Sequence, residues 1–220
     1  MTGQVPRLLV LAKAPLPGRA KTRLCPPCTH EEAAALAEAA LRDTLAAVTA
    51  VPDVRHVVVL DGEPGDWLPA GVDVVEQERG TLGDRLAAAF ASDDGPALLV
   101  GMDTPQVTPE LLATGLAAVL DGHDAAIGPA HDGGYWAIGL RRPDAEVFRG
   151  VPMSTPTTLR EQRRRLAALG LRTAELPSLS DFDDIASAAD LGRAFPGLRF
   201  SKALAGMGLT DANAAPDVEP

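Results

Sequence analysis

The sequence predicts a single α/β domain built on a doubly wound, mixed sheet. Three observations carry that expectation. Short apolar runs alternate with helix-patterned segments from residue 7 to residue 128. Beyond that point the order turns irregular, which points to a mixed sheet in the second part. The run Ala97-Leu98-Leu99-Val100, entered through Asp93-Asp94-Gly95-Pro96, reads as a strand buried on both faces, and the chain after it meets a carboxylate, Asp103. Thr104-Pro105 prevents any continuation as strand, because proline has no N–H for the ladder. Open α/β sheets bind ligands outside such carboxyl ends. Asp103 there suits a divalent cation, and it equally suits a turn cap.

A chain of 220 residues with 46% hydrophobic and 23% charged residues has the make-up of an ordinary globular domain. No apolar run approaches the ~18 residues of a membrane span, and the N-terminus shows no secretory pattern, so cytoplasm is the expected location. The net charge of -10 argues against a nucleic-acid polymer as partner. Its distribution is more informative. Residues 1–30 hold Arg7, Lys13, Arg19, Lys21 and Arg23 and no acidic residue, leaving fifteen basic residues against thirty acidic ones in the rest. A basic segment in an acidic chain suggests a local anionic ligand such as a phosphate group.

Taken in order, Arg7–Ala12 is the first strand. The segment from Lys13 to Leu24 contains Pro15, Pro17 and Gly18, which excludes helix and strand alike; it is a loop carrying four cations at a strand end. Gly18-x-x-Lys21-Thr22 lacks the glycine before lysine and the full spacing of a P-loop. Cationic side chains and loop N–H groups can still surround a di- or triphosphate, with Lys21 and Arg23 neutralising a leaving phosphate. Cys25-Pro26-Pro27-Cys28 has only His30 nearby as a further ligand and lies well past the strand, so it reads as an incidental loop pair.

Thr29-x-x-Glu32 is a capping-box pattern opening a helix to about Ala50, with Leu36, Ala40, Leu41, Leu45 and Val48 on one face. Val54–Leu60 and Val72–Val75 are strands separated by a Pro/Gly-rich loop. The stretch from Gln77 leads into a helix through Ser92. Gly80 and Gly83 lie at its start, where free backbone N–H groups suit an anion or the edge of a base. Thr81 is equally a plain N-cap there, and Arg85 a surface charge. Thr108-Pro109-Glu110 starts a helix to about Asp121, and Asp124–Gly128 is a further strand.

His131-Asp132-Gly133-Gly134-Tyr135-Trp136 is a hairpin signal. It also gathers an imidazole, a carboxylate, two positions without side chains and aromatic faces, which suits a sugar or small polyol acceptor. Ser154-Thr155-Pro156 opens a basic helix at 157–169, ended by Gly170, and Leu171–Leu176 is a strand. Asp181 and Asp183 flank Phe182, so an extended chain turns both carboxylates to one side. A Mg²⁺ or Mn²⁺ shared with Asp103 would offset their repulsion; the alternative is an N-cap cluster for a helix at 185–194. Residues 206–220 read as a disordered tail, leaving 1–205 as the domain.

Five stretches occur in register over about residues 7–195: Lys13-x-Pro15-x-Pro17-Gly18-x-x-Lys21-Thr22-Arg23-Leu24, Gln77-x-x-Gly80-x-Leu82-Gly83-x-Arg85, Gly101-x-Asp103-x-Pro105, Asp132-Gly-Gly-Tyr135 and Asp181-x-Asp183. Together they resemble a bacterial GT-A-like family of nucleotide-diphospho-sugar transferases, related to the phospholactate and molybdenum-cofactor guanylyltransferases. The resemblance implies a GT-A, Rossmann-like fold, a nucleotide sugar or nucleoside triphosphate, and a divalent metal. With the reading of the residues, it assigns Lys13, Gly18, Lys21, Arg23, Gln77, Gly80, Gly83 and Asp103 to the nucleotide, and Asp103, Asp181 and Asp183 to Mg²⁺ or Mn²⁺. His131, Asp132, Gly133, Gly134, Tyr135, Ser154 and Thr155 are assigned to the second substrate. The chain departs from the pattern in its prolines where a glycine-rich loop is usual, in Asp103-Thr104 where glycosyltransferases usually carry Asp-x-Asp, and in Met153 where a Trp is common.

The expected reaction is metal-dependent glycosyl transfer from a nucleotide sugar to a small-molecule acceptor, with Lys21, Arg23 and Asp132 catalytic and Asp132 deprotonating the acceptor hydroxyl. Two alternatives stand beside it. One is nucleotidyl transfer from a nucleoside triphosphate to a phosphorylated small molecule, releasing pyrophosphate. The other is a non-catalytic nucleotide-binding protein.

Overall fold

The computed structural model describes residues 4–210. Seven strands form one sheet in the order β3-β2-β1-β4-β6-β5-β7. The strands are β1 (Arg7–Lys13), β2 (Arg55–Asp61), β3 (Asp73–Glu76), β4 (Ala97–Gly101), β5 (Ala125–Pro129), β6 (Tyr135–Leu140) and β7 (Thr173–Glu175). Only β6 runs against its neighbours, β4 and β5; every other pair is parallel. The helices are α1 (His30–Thr49), α2 (Leu82–Ala91), α3 (Pro109–Leu120), α4 (Thr158–Ala168), α5 (Ile185–Ala194) and α6 (Arg199–Gly206). This is the doubly wound mixed sheet that the alternation predicts.

Period-two geometry sorts the core. Leu8 and Val10 of β1 face one layer, with Leu41 and Leu45 of α1 and Leu112 and Leu116 of α3. Leu9 faces the other, with Leu86 and Phe90 of α2 and Leu166 of α4. Both faces of the central strands are covered, which explains why they read as continuous apolar runs. Capping is local where the sequence says so. Thr29 accepts from the Glu32 N–H while the Glu32 carboxylate accepts from the Thr29 N–H.

A third apolar cluster sets the site. Leu24 from the basic bend, Leu36 of α1, Phe182 and α6's Phe200 and Leu204 pack together with full burial. The Phe182 and Phe200 rings lie 4.3 Å apart between centroids. This cluster ties the bend after β1 to the Asp181-Phe182-Asp183 segment, although some 160 residues separate them in the chain.

Helix α6 is absent from the sequence reading. Its N-terminal N–H groups are capped from a distance: the buried Asp43 carboxylate of α1 accepts from the backbone N–H of Phe200 at 2.9 Å and of Arg199 at 3.2 Å, and from the Arg199 guanidinium at 3.2 Å. No neighbouring residue in sequence announces that cap. Asp43→Ala is therefore expected to cost about 2–3 kcal/mol, because buried donors lose a charged acceptor, and chemical denaturation would read it. A loss below ~0.5 kcal/mol, the level of an ordinary surface substitution, would contradict the role. Described chain continues past the expected start of the tail at residue 206, through Met207–Thr210; the rest of that tail, 211–220, lies outside the described residues. Among the described residues no helix is long and apolar enough to cross a membrane.

Candidate active site

The parallel register brings the carboxyl ends of β1, β2 and β4 to one edge of the sheet, at Lys13, Asp61 and Gly101. Two cavities open there. The larger, about 340 Å³, is walled by the ends of β1 and β4, the start of α2, and the loops before and after β6. The smaller, about 260 Å³, is lined by Lys13, Arg19, Lys21 and Arg23 of the basic bend. Lys13, Met102, Asp103 and Asp183 belong to both walls, so the two spaces meet at Asp103.

Lys21 is the centre of this junction. Its backbone is left-handed, with φ 48° and ψ 38°. That conformation turns the side chain inward, where it is only 8% exposed. The ammonium lies 3.1 Å from Asp103 Oδ1 and 3.1 Å from Asp183 Oδ1. It also donates to the Phe182 carbonyl and sits 4.1 Å from the centroid of the Phe182 ring. Arg23 donates to the other oxygen of Asp183 at 3.0 Å from a largely exposed position. Lys13 and Arg19 face Asp61 at 3.8 and 3.6 Å. These outer pairs are solvent-screened and hold little energy, so their cations are free to rearrange around an anion.

Carboxylates dominate the opposite wall. Asp181 lines the larger cavity with Asp132, Asp103 and Asp183. Burial, and then the neighbouring Asp132 carboxylate, holds its carboxyl above the usual range. Asp132 Oδ1 accepts from the Gly134 N–H at 2.7 Å. Burial pushes the Tyr135 phenol well above its ordinary value. Tyr135 is thus a neutral donor, toward Gln162 Oε1 at 3.4 Å. Ser154 and Thr155 also line this wall, and Ser154 is held at φ 56°.

Most of the residues expected from sequence meet here, with instructive exceptions. Asp103 and Asp183 do converge on one cation, but that cation is Lys21. Among the described residues no three His, Cys, Asp or Glu side chains are grouped closely enough to hold a metal by themselves. His131 lies outside both walls, its Nδ1 3.1 Å from Ser180 Oγ. Gly18, Gly80, Gly83 and Gly133 are also off the walls. Gln77 is on the wall, but its amide is already engaged by the protein: Nε2 donates to the carbonyls of Ala12 at 2.8 Å and Val59 at 3.0 Å, and Oε1 accepts from Arg85 at 3.0 Å. Two further wall residues carry buried polar atoms without a partner. Thr104 is 2% exposed and its hydroxyl has no partner. Arg85, left open by the sequence between a ligand-binding segment and a surface charge, lines the cavity with its Nε buried and unpaired. Thr104 leaves no local signal, since only the packing shows the missing partner.

Gly133 works from behind the wall. At φ 89° it is left-handed, and a Cβ would collide with the Pro156 carbonyl. Its own carbonyl accepts from the Leu159 N–H at 2.8 Å, fixing the loop that carries Ser154 and Thr155. Gly133→Ala is expected to destabilise the protein by at least ~1–3 kcal/mol, seen as a drop of about 2–4 °C in melting temperature per kcal/mol. An unchanged melting curve would refute the packing argument.

A protein family described as "Uncharacterized protein conserved in bacteria (DUF2064)" matches residues 35–155, more than half of the chain. The chain belongs to that family. A curated relative of this DUF2064 chain, 2-phospho-L-lactate guanylyltransferase from Natrialba magadii, is 31% identical over 188 residues, covering 78% of the chain and 76% of the relative. A solved structure, a provisionally assigned nucleotide-diphospho-sugar transferase from Desulfovibrio desulfuricans G20, superposes with TM-score 0.84 at 25% identity, covering 94% of this chain and 97% of that one. A nucleotidyl transferase from Methanothermobacter thermautotroptrophicus shares the fold, with TM-score 0.59 and 17% identity over 88% of this chain and 99% of that one. The GT-A-like fold expected from the resemblance is the fold observed. The chain is a nucleotide-dependent transferase.

Proposed function

We propose that this protein transfers a nucleotidyl group from a nucleoside triphosphate to a phosphorylated small molecule. The observation that carries the reading is Lys21, buried at the junction of a cationic pocket with a carboxylate-walled cavity. A triphosphate fits that arrangement with its outer phosphates among Lys21, Arg23, Arg19 and Lys13 and its α-phosphate near Asp103. The glycosyl transfer expected from sequence has less support: Gly101 and Pro105 stand two positions either side of Asp103, so no Asp-x-Asp is formed, and the 31%-identical relative is a guanylyltransferase.

In the reaction, an ionised phosphate oxygen of the acceptor attacks the α-phosphorus. The new P–O bond forms as the α–β bridging bond breaks, and the electron pair leaves with pyrophosphate. Lys21 and Arg23 counter the charge that builds on the leaving group. No general base is required, because a phosphate monoester is already ionised near neutral pH. Tyr135, Ser154 and Thr155 form the acceptor wall. The donor set fits a hard divalent cation such as Mg²⁺ or Mn²⁺. Asp103 and Asp183 are two carboxylates that already share one positive charge, and Asp181 lines the same cavity. Mg²⁺ is commonly held by one or two carboxylates plus substrate phosphates, so no all-protein cage is needed. When bound, it would add charge neutralisation at the phosphates. A cytoplasmic setting supplies such substrates.

The test is pyrophosphate release from GTP, ATP, CTP or UTP in the presence of 2-phospho-L-lactate and other small phosphorylated acids. Acceptor-dependent release supports the proposal. Release of a nucleoside diphosphate from a nucleotide sugar, with no pyrophosphate from any triphosphate, would replace it by glycosyl transfer. Asp132 favours that second reading, since it offers a carboxylate base that nucleotidyl transfer does not use.

A further inference from the structure

The structure assigns Cys25 and Cys28 a chemistry of their own: they form a dithiol site that exchanges with small-molecule disulfides, at the foot of the basic bend. Spacing alone leaves Cys25-Pro26-Pro27-Cys28 an incidental loop pair; the fold supplies what spacing lacks. The pair spans the turn between the bend and α1. The Cys25 N–H donates to the Thr22 carbonyl at 3.1 Å, closing the turn that carries Arg23, and the Cys28 N–H donates to the Leu24 carbonyl at 3.0 Å. Tight turns place α-carbons three positions apart within about 7 Å, the reach of a disulfide. Pro26 and Pro27 each fix one backbone angle, so little freedom is lost when a ring closes across them. The Cys25 thiol already points across the turn: Sγ donates to the carbonyl of Thr29, the residue next to Cys28, at 3.3 Å. Both thiols are free.

Burial gives the two sulfurs different parts. Cys28 is 5% exposed and belongs to the apolar cluster of Leu24, Leu36, Phe182 and Phe200. Burial, then the neighbouring Cys25 and Glu32, pushes its thiol up, so Cys28 is not the first attacker. Cys25 packs against the same cluster from a half-buried position that meets solvent. The order of steps follows. The Cys25 thiolate attacks one sulfur of the small disulfide; a mixed disulfide forms, and the other half leaves as a thiolate. Cys28 then loses its proton and attacks Cys25 Sγ, the internal S–S bond forms, and the second small thiolate leaves. The pair is oxidised by two electrons, the small disulfide is reduced to two thiols, and those thiols take up the two protons. Cys28 needs no path to solvent for this, because its target sulfur sits on the same turn. Without Cys28 the reaction would stop at the mixed disulfide.

The experiment exposes the full chain to glutathione disulfide, quenches with acid, alkylates the remaining thiols in denaturant and weighs the intact protein. Wild type is expected in two states only, both cysteines alkylated or neither, with no glutathione retained, and excess reduced glutathione should reverse the change. Cys28→Ser should stop with one glutathione on Cys25; Cys28→Ala is the second variant should a buried serine unfold the cluster. Cys25→Ser should take up glutathione at least about tenfold more slowly than Cys28→Ser, because the remaining thiol is buried. A melting curve checks that each variant is folded. Wild type that accumulates a glutathione adduct, or that keeps both thiols alkylatable throughout, would overturn the inference. Equal uptake by the two single variants would overturn the assigned order. None of these readouts involves a nucleotide, so the dithiol site and the proposed transfer stand or fall separately.

Discussion

Lys21→Met is expected to cut the rate of pyrophosphate release by about 10²–10³, the loss usual for one preorganised donor at a developing charge. Methionine keeps an unbranched stem against the Phe182 ring, so the substitution removes the ammonium more than the packing. The rate is the sensitive readout, because the charge on the leaving phosphates grows as the bond breaks. The KM for nucleotide should rise less than kcat falls. The free protein should also lose stability, since Asp103 and Asp183 are each 3.1 Å from the missing cation and face one another without it. Added Mg²⁺ should restore part of that stability, which a melting curve would show. An enzyme that keeps its full kcat after this change does not use Lys21 on the leaving group.

Asp103→Asn should abolish the Mg²⁺-dependent part of nucleotide affinity, a loss of at least about tenfold to hundredfold, while the protein stays folded. Asparagine has the shape of aspartate and Asp103 is 42% exposed, so packing is preserved. Asp183 remains to hold Lys21 in place. Calorimetry with and without Mg²⁺ separates the two contributions. Metal-dependent affinity equal to wild type would remove Asp103 from the metal and leave it as a partner of Lys21 alone.

Much of the fold is legible because its signals are local. The Thr29 and Glu32 pair, the Thr108-Pro109 start of α3 and the Asp132-Gly133-Gly134 turn into β6 each encode their own geometry in adjacent residues. Helix α6 is not legible, because its cap is Asp43, more than 150 residues earlier. The site divides the same way. Chemistry alone leads to Asp103, Asp181 and Asp183 sharing a divalent cation, since neighbouring carboxylates demand one; the structure gives one charge, Lys21, to Asp103 and Asp183. That Lys21 supplies the charge depends on the Leu24–Phe182–Phe200 packing that folds the bend inward. His131 shows the reverse case: its residue type invites a catalytic role, but the structure turns it to Ser180. Arg85 stands in a motif of the resemblance, yet its type alone leaves two readings open, because the same residue on a helix is a solvated charge unless its surroundings are apolar.

In the proposed reaction the basic bend grips a triphosphate opposite the strand-end carboxylates. A crystal structure with a non-hydrolysable GTP analogue and Mn²⁺, the metal located by its anomalous signal, tests it most directly. The β- and γ-phosphates are expected within hydrogen-bonding distance of Lys21 and Arg23, with Mn²⁺ on Asp103 and Asp183. Phosphates seated at the Ser154–Thr155 loop, or Mn²⁺ away from both aspartates, would contradict it.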